Sequence, residues 1–170
     1  MLRAQADALL ASDRLTAPTR AALSARLAWR RSSPRALTAR QLAVLDAVAW
    51  RLVPLGPLEE VVDLAGRLEA DVADGPGDGW RYAAMPVDGI ALAAGLDRLE
   101  ADTFLDGDDA ERDRLLEVAR TGVADWPVPS DLWFEEVLAR LVQLAYAHPL
   151  VQLSIGYDGM SDAAGFPAHG

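Results

Sequence analysis

The chain has 170 residues, 51% hydrophobic and 25% charged, enough for one globular domain with a sizeable core. It has no cysteine and two histidines, which excludes disulfides, iron–sulfur clusters, thiolate zinc and a histidine-rich metal site. A net charge of −10 argues against nucleic-acid binding.

The charge is unevenly spread. Residues 1–40 hold eight arginines against two aspartates, whereas the rest of the chain holds eight arginines against 24 acids. A basic arm on an acidic body can engage an acidic partner, an anionic membrane or its own body, and the last is the simplest. All the basic residues are arginine, a bias that spans the whole chain. Asp7 and Asp13 interrupt the apolar residues of the N-terminus, so it does not read as a secretory signal. The Arg30-Arg31 pair is followed by Ser-Ser-Pro-Arg rather than an apolar run, and no run reaches the length of a membrane span. These features predict a cytoplasmic protein.

In chain order, residues 2–12 and 17–31 read as two helices, broken at Ser32-Ser33-Pro34. Thr38 to Gln41 matches a capping box, and Leu42, Leu45, Val48, Ala49 and Leu52 follow at helical spacing. Pro54 to Pro57 ends that helix, and Pro57 suits the start of another over 58–73, with Val61, Val62, Leu64 and Leu68 turned inward. Asp74 to Gly79 is a loop whose far end Trp80 and Tyr82 anchor. Pro86 opens a helix carrying Ile90, Leu92, Ala93, Leu96 and Leu99.

Eight acids and two arginines fall between Asp97 and Asp113, without the order of an EF-hand, so this reads as a solvated loop with helix-start acids. A helix over 109–121 ends at Gly122, and Trp126 to Pro129 is a stiff link. Ser130 is expected to cap the next helix, which brings Trp133, Val137 and Leu141 to one side and stops at Pro149. Leu150 to Ile155 is the one stretch that suits a short strand. The class is all-α: a single compact helical bundle with long loops and an irregular Gly-rich C-terminal tail. Two parts are expected, a basic helical arm over 1–36 and a helical domain over 37–170.

No Gly-rich phosphate loop, G-x-S-x-G, HExxH or paired-cysteine motif is present. Glu135 and Glu136 are neighbours about 100° apart on a helix, which does not suit paired catalysis. His148 lies where a helix meets a proline, the place of a capping or packing residue. As a base it has no Ser, Cys or Asp partner nearby in sequence and needs one brought close in space; a stand-alone enzyme reading pairs it with Asp158 or Asp162 of the tail. Tyr157, Asp158 and Asp162 either form a polar site or stitch the tail together. Five tryptophans in so short a chain fill a core and also suit docking to another protein.

Three stretches carry a resemblance. Leu37 to Pro54 is a helix ending in Arg-Leu-Val-Pro, Leu99 to Leu116 is a leucine, acidic loop and leucine pair, and Trp133-Phe134 runs through His148-Pro149 to Gly165-Phe166-Pro167. In this order and spacing, over about three-quarters of the chain, they resemble the gluconate 2-dehydrogenase subunit 3 family. Those are small, cofactor-free subunits of FAD-dependent GMC-type sugar and alcohol dehydrogenases. The resemblance implies that this chain holds no cofactor and binds, stabilises and helps mature a catalytic subunit that carries FAD. The interface candidates it implies are Trp133, Phe134, His148, Tyr157, Asp158, Met160, Asp162 and Phe166. It also implies an interface above ~1,600 Å² and homo-association when the chain is expressed alone. The tail departs from the family's Tyr-Gly-Gly-Asn at Ser154 to Met160, and the twin-arginine export segment of that family has no counterpart, which implies a complex inside the cell. The other reading is a helical interaction module whose basic arm binds an acidic partner.

Overall fold

The computed structural model describes residues 1–75, 85–122, 125–157 and 159–163. Trp80, Tyr82, Asp158, Phe166 and the Gly165-Phe166-Pro167 motif therefore lie outside the described residues. Eight helices make up the fold, with no strand among the described residues. They are α1 (Leu2–Ala11), α2 (Ala17–Ala28), α3 (Ala39–Leu52), α4 (Leu64–Asp74), α5 (Asp88–Ala101), α6 (Asp109–Thr121), α7 (Ser130–Ala147) and α8 (Pro149–Ser154). Among the described residues, no helix is long and apolar enough to cross a membrane.

The long helix α7 is the central post, packed against α4, α5, α6 and α8. Its buried stripe, Trp133, Val137, Leu141 and Ala145, repeats every four residues and fills the main core with Leu45 of α3 and Leu96 of α5. Trp133 also meets Trp126 of the preceding link, with ring centroids 5.3 Å apart and planes tilted by 54°.

Helix starts follow local chemistry. Thr38 and Gln41 form the expected capping box: Gln41 N donates to Thr38 Oγ1 at 3.2 Å, and Thr38 N donates to Gln41 Oε1 at 2.8 Å. Asp108 caps α6 by accepting from Glu111 N at 2.9 Å. Gly122, at φ 68, closes the same helix in the left-handed region that a Cβ disfavours.

Three local expectations are corrected. The helix after Pro57 starts six residues later than that proline suggests. Pro57 sits in a short 3-10 turn over Gly56–Leu58, and Asp63 caps α4 by accepting from Gly66 N at 2.9 Å. Val61 consequently stands out of the core, 59% exposed, while Val62 is buried. Ser130 does not cap α7: Pro129 holds that place, and the buried Ser130 hydroxyl has no hydrogen-bond partner. The expected strand at Leu150 to Ile155 is helical, because His148 caps it and Pro149 fits its first turn. Ile90, carried by α5, is 62% exposed.

The acidic stretch is less open than its composition suggests. Phe104 within it is fully buried, and arginines of α3 reach across to it. Arg51 binds Asp109 at 2.8 Å and Asp113 at 2.6 Å, and Arg40 pairs with Glu100.

The N-terminal pair folds onto the body. α1 and α2 bury Ala6, Leu9, Leu23 and Leu27 against α8 and Met160, in small clusters beside the main core. Arg31 clamps the pair to the body by donating to Asp46 of α3 at 2.6 and 2.7 Å, and also to Asp63 at the start of α4. Four residues further along the chain, the buried carboxylate of Glu69 accepts from Arg35 N and, at 2.7 Å, from Ala36 N.

Candidate functional site

Three interface candidates are interior. Trp133 is 1% exposed, Met160 6% and Phe134 8%, so none can anchor a partner on this surface. The physical reason is position: Trp133 and Phe134 follow the helical stripe of α7 into the core, and Met160 plugs the gap between α1 and α2. Tyr157 is 48% exposed and remains available.

Asp162 is a tether. Its carboxylate accepts from Thr16 N at 2.7 Å and from the hydroxyls of Thr16 and Thr19 at 2.6 Å each. Those hydroxyl and amide donors, those of Thr16 foremost, hold its pKa down to about 2. His148 is a cap whose Nδ1 accepts from Leu150 N at 3.3 Å, which leaves its proton on Nε2. Burial, then the charges of Arg26 and Arg3, push its pKa down to about 4. No hydrogen bond or ion pair joins His148 to Asp162. A neutral histidine spending one nitrogen on a helix start, and a carboxylate held by threonines, do not make a base and its orienting acid. Glu135 and Glu136 are both exposed, with Glu136 lying 3.4 Å from Arg140. Among the described residues, no group of three or more His, Asp or Glu can hold a metal ion.

The structure instead brings together a cleft that sequence reasoning missed. It opens between the end of α2, the first turns of α4 and the end of α7, with a volume of about 620 Å³. Arg26 comes from the last turn of α2, and Trp29 and Arg30 from the extended chain beyond it. Across from them stand Arg67 of α4 and His148. The Arg67 guanidinium lies 5.8 Å from the Trp29 ring centroid and 3.0 Å from Asp71, so its charge is held in place. α7 has no basic residue in its last turn, and Arg26 supplies one from outside, donating to Ala147 O at 3.1 Å. Arg30 donates to Leu27 O at 3.0 Å and to Trp29 O at 2.6 Å, turning back over the end of its own helix.

A smaller depression of about 230 Å³ adjoins the cleft and shares its wall of Glu60, Val62, Asp63 and Leu64. Trp50, 59% exposed, lines it on the far side, and Val61 stands at the cleft. The arginine excess of residues 1–40 was the available signal for this site. The sequence did not show which arginines the body's acids would neutralise. Arg31, Arg35 and Arg40 reach body carboxylates and Arg3 pairs with Asp7, whereas among the described residues Arg26 and Arg30 meet backbone carbonyls alone. No family model, curated protein or solved structure matches the chain.

Proposed function

We propose that this chain is a noncatalytic binding subunit: the small partner of an FAD-dependent GMC-type dehydrogenase, which it stabilises and helps to mature. The observation that carries the binding role is the pair Trp50 and Val61, each 59% exposed on the two sides of one shared wall. Large apolar groups held out in this way lose contact with water when a partner covers them, and a buried aromatic is the commonest anchor of such an interface. Tyr146, Ile155 and Tyr157 are also about half exposed. These residues replace Trp133, Phe134 and Met160 as anchors. The flavoprotein identity of the partner rests on the resemblance carried by Leu37 to Pro54, Leu99 to Leu116 and Trp133 to Pro167. In this reading FAD belongs to the partner, which performs the hydride chemistry, and the complex works in the cytoplasm.

The test is affinity capture of the full chain from its native cells, with an absorbance spectrum of the eluate. A stoichiometric, larger partner with flavin bands, lost in Trp50→Asp, is the expected result. A colourless eluate with no stoichiometric protein rules the reading out.

A further inference from the structure

The cleft at the end of α2 is lined by five arginines against three carboxylates, in a chain whose net charge is −10. Two of those carboxylates, Asp63 and Asp71, are already bound by Arg31 and Arg67. Arg26 and Arg30, both exposed, donate through Nη1 to neutral carbonyls, which satisfies a donor without cancelling a charge. A guanidinium carries five N–H groups in a planar fork, so most of each fork is left to bind something else. His148 adds a neutral side chain protonated on Nε2 to the same cleft. Between the charges the walls are apolar: Val61 is exposed, and Trp29 and Leu144 are partly so. A volume of about 620 Å³ is that of a site for a small organic molecule.

We propose that this cleft binds an organic anion with an apolar body, its carboxylate or phosphate head held by Arg26 and Arg30 and its body laid along Trp29, Val61 and Leu144. Guanidinium forks match both kinds of head, and each is reached by charge-assisted hydrogen bonds inside a partly apolar cleft. The cleft shares Val61 with the partner surface proposed above, whereas Trp50 takes no part in it.

Titration calorimetry of the full chain at low salt tests this with four probes: decanoate, decyl phosphate, inorganic phosphate and 1-decanol, the amphiphiles below their micellar concentrations. One or both amphiphilic anions bind saturably at one site, and the tighter of the two names the head group. Arg26→Gln and Arg30→Gln each weaken that binding about tenfold. Arg26 also caps α7, so Arg30→Gln decides the matter if the Arg26 variant loses helicity. Absence of saturable binding by either amphiphile overturns the proposal. So does equal binding of 1-decanol, an affinity unmoved by Arg30→Gln, or binding of inorganic phosphate alone.

Discussion

The indole of Trp133 occupies the notch left by the missing side chain of Gly95. A Cβ built at Gly95 strikes the indole ring, and Trp133 Nε1 donates across the gap to Leu92 O at 3.4 Å. The glycine weakens the interior of α5 by about 1 kcal/mol relative to alanine, and in return the central helix comes close enough to seal the core. Gly95→Ala therefore destabilises the fold by about 2 kcal/mol, although alanine is the better helix former. Urea unfolding measures this; a midpoint that rises or stays still shows that the close approach does not matter.

Arg31→Ala is expected to cost about 1 kcal/mol, a modest figure because the guanidinium is one-third exposed. Its more specific effect is on the seam. Proteolysis between residues 29 and 37 should accelerate, while the main core stays cooperative. A double-mutant cycle with Asp46→Ala measures the coupling, and a zero coupling energy removes Arg31 as the clamp.

The depressed pKa of His148 makes stability pH-dependent in one direction. The unfolded chain takes up a proton near pH 6.5, whereas the folded chain resists until about pH 4. Stability from this residue is thus complete above about pH 6.5 and is lost as pH falls towards 4. The loss is about 1 kcal/mol once solvent screening of a partly exposed ring is allowed for. His148→Asn keeps a capping side chain and should flatten that window in a pH series of chemical denaturations.

Asp162 behaves in the same direction at lower pH: its contribution is present above about pH 3.8 and is lost as pH falls towards 2. Asp162→Asn should loosen the tail at neutral pH. Hydrogen exchange at the Thr16 amide reports it directly, and unchanged protection of that amide means the tether is dispensable.

Thr103 adopts φ 60 in the turn that delivers Phe104 to the core, a conformation that strains a β-branched residue. Thr103→Gly is expected to raise stability by up to about 1 kcal/mol, with the gain limited by glycine's extra freedom in the unfolded chain. A fall in the thermal midpoint shows that the threonine side chain contributes more than its strain costs.

What could be read in advance was whatever the chain encodes locally. The Thr38–Gln41 box, the Gly122 stop and the Trp133–Val137–Leu141 stripe depend on neighbours within a turn or two of helix, and all are present. Errors came where a residue had two local meanings. Pro57 suits a helix start and a 3-10 turn equally, and only Asp63, six residues on, decides between them. His148-Pro149 ends one helix and begins the next, so an apolar stretch after it looked like a strand. The cleft was not legible because it is made of pairings. Arg26 and Arg31 are close in sequence, yet one meets a carbonyl of α7 and the other two carboxylates of the body, and composition does not distinguish them.

The pairing of α1 and α2 with α8 and Asp162 has a consequence for the order of folding. Thr16 and its acceptor Asp162 are separated by 146 positions, and the amide of Ala163 donates to Arg14 O at 3.0 Å. During synthesis the hairpin of α6 and α7 can close soon after it emerges, because its contacts are near in sequence. The first two helices must wait until α8 and the tail have left the ribosome, with Leu9, Leu23 and Leu27 uncovered in the meantime. The end of the chain that is made first is completed last, and a nascent protein stalled before residue 149 exposes the apolar face that Leu150 of α8 and Met160 cover.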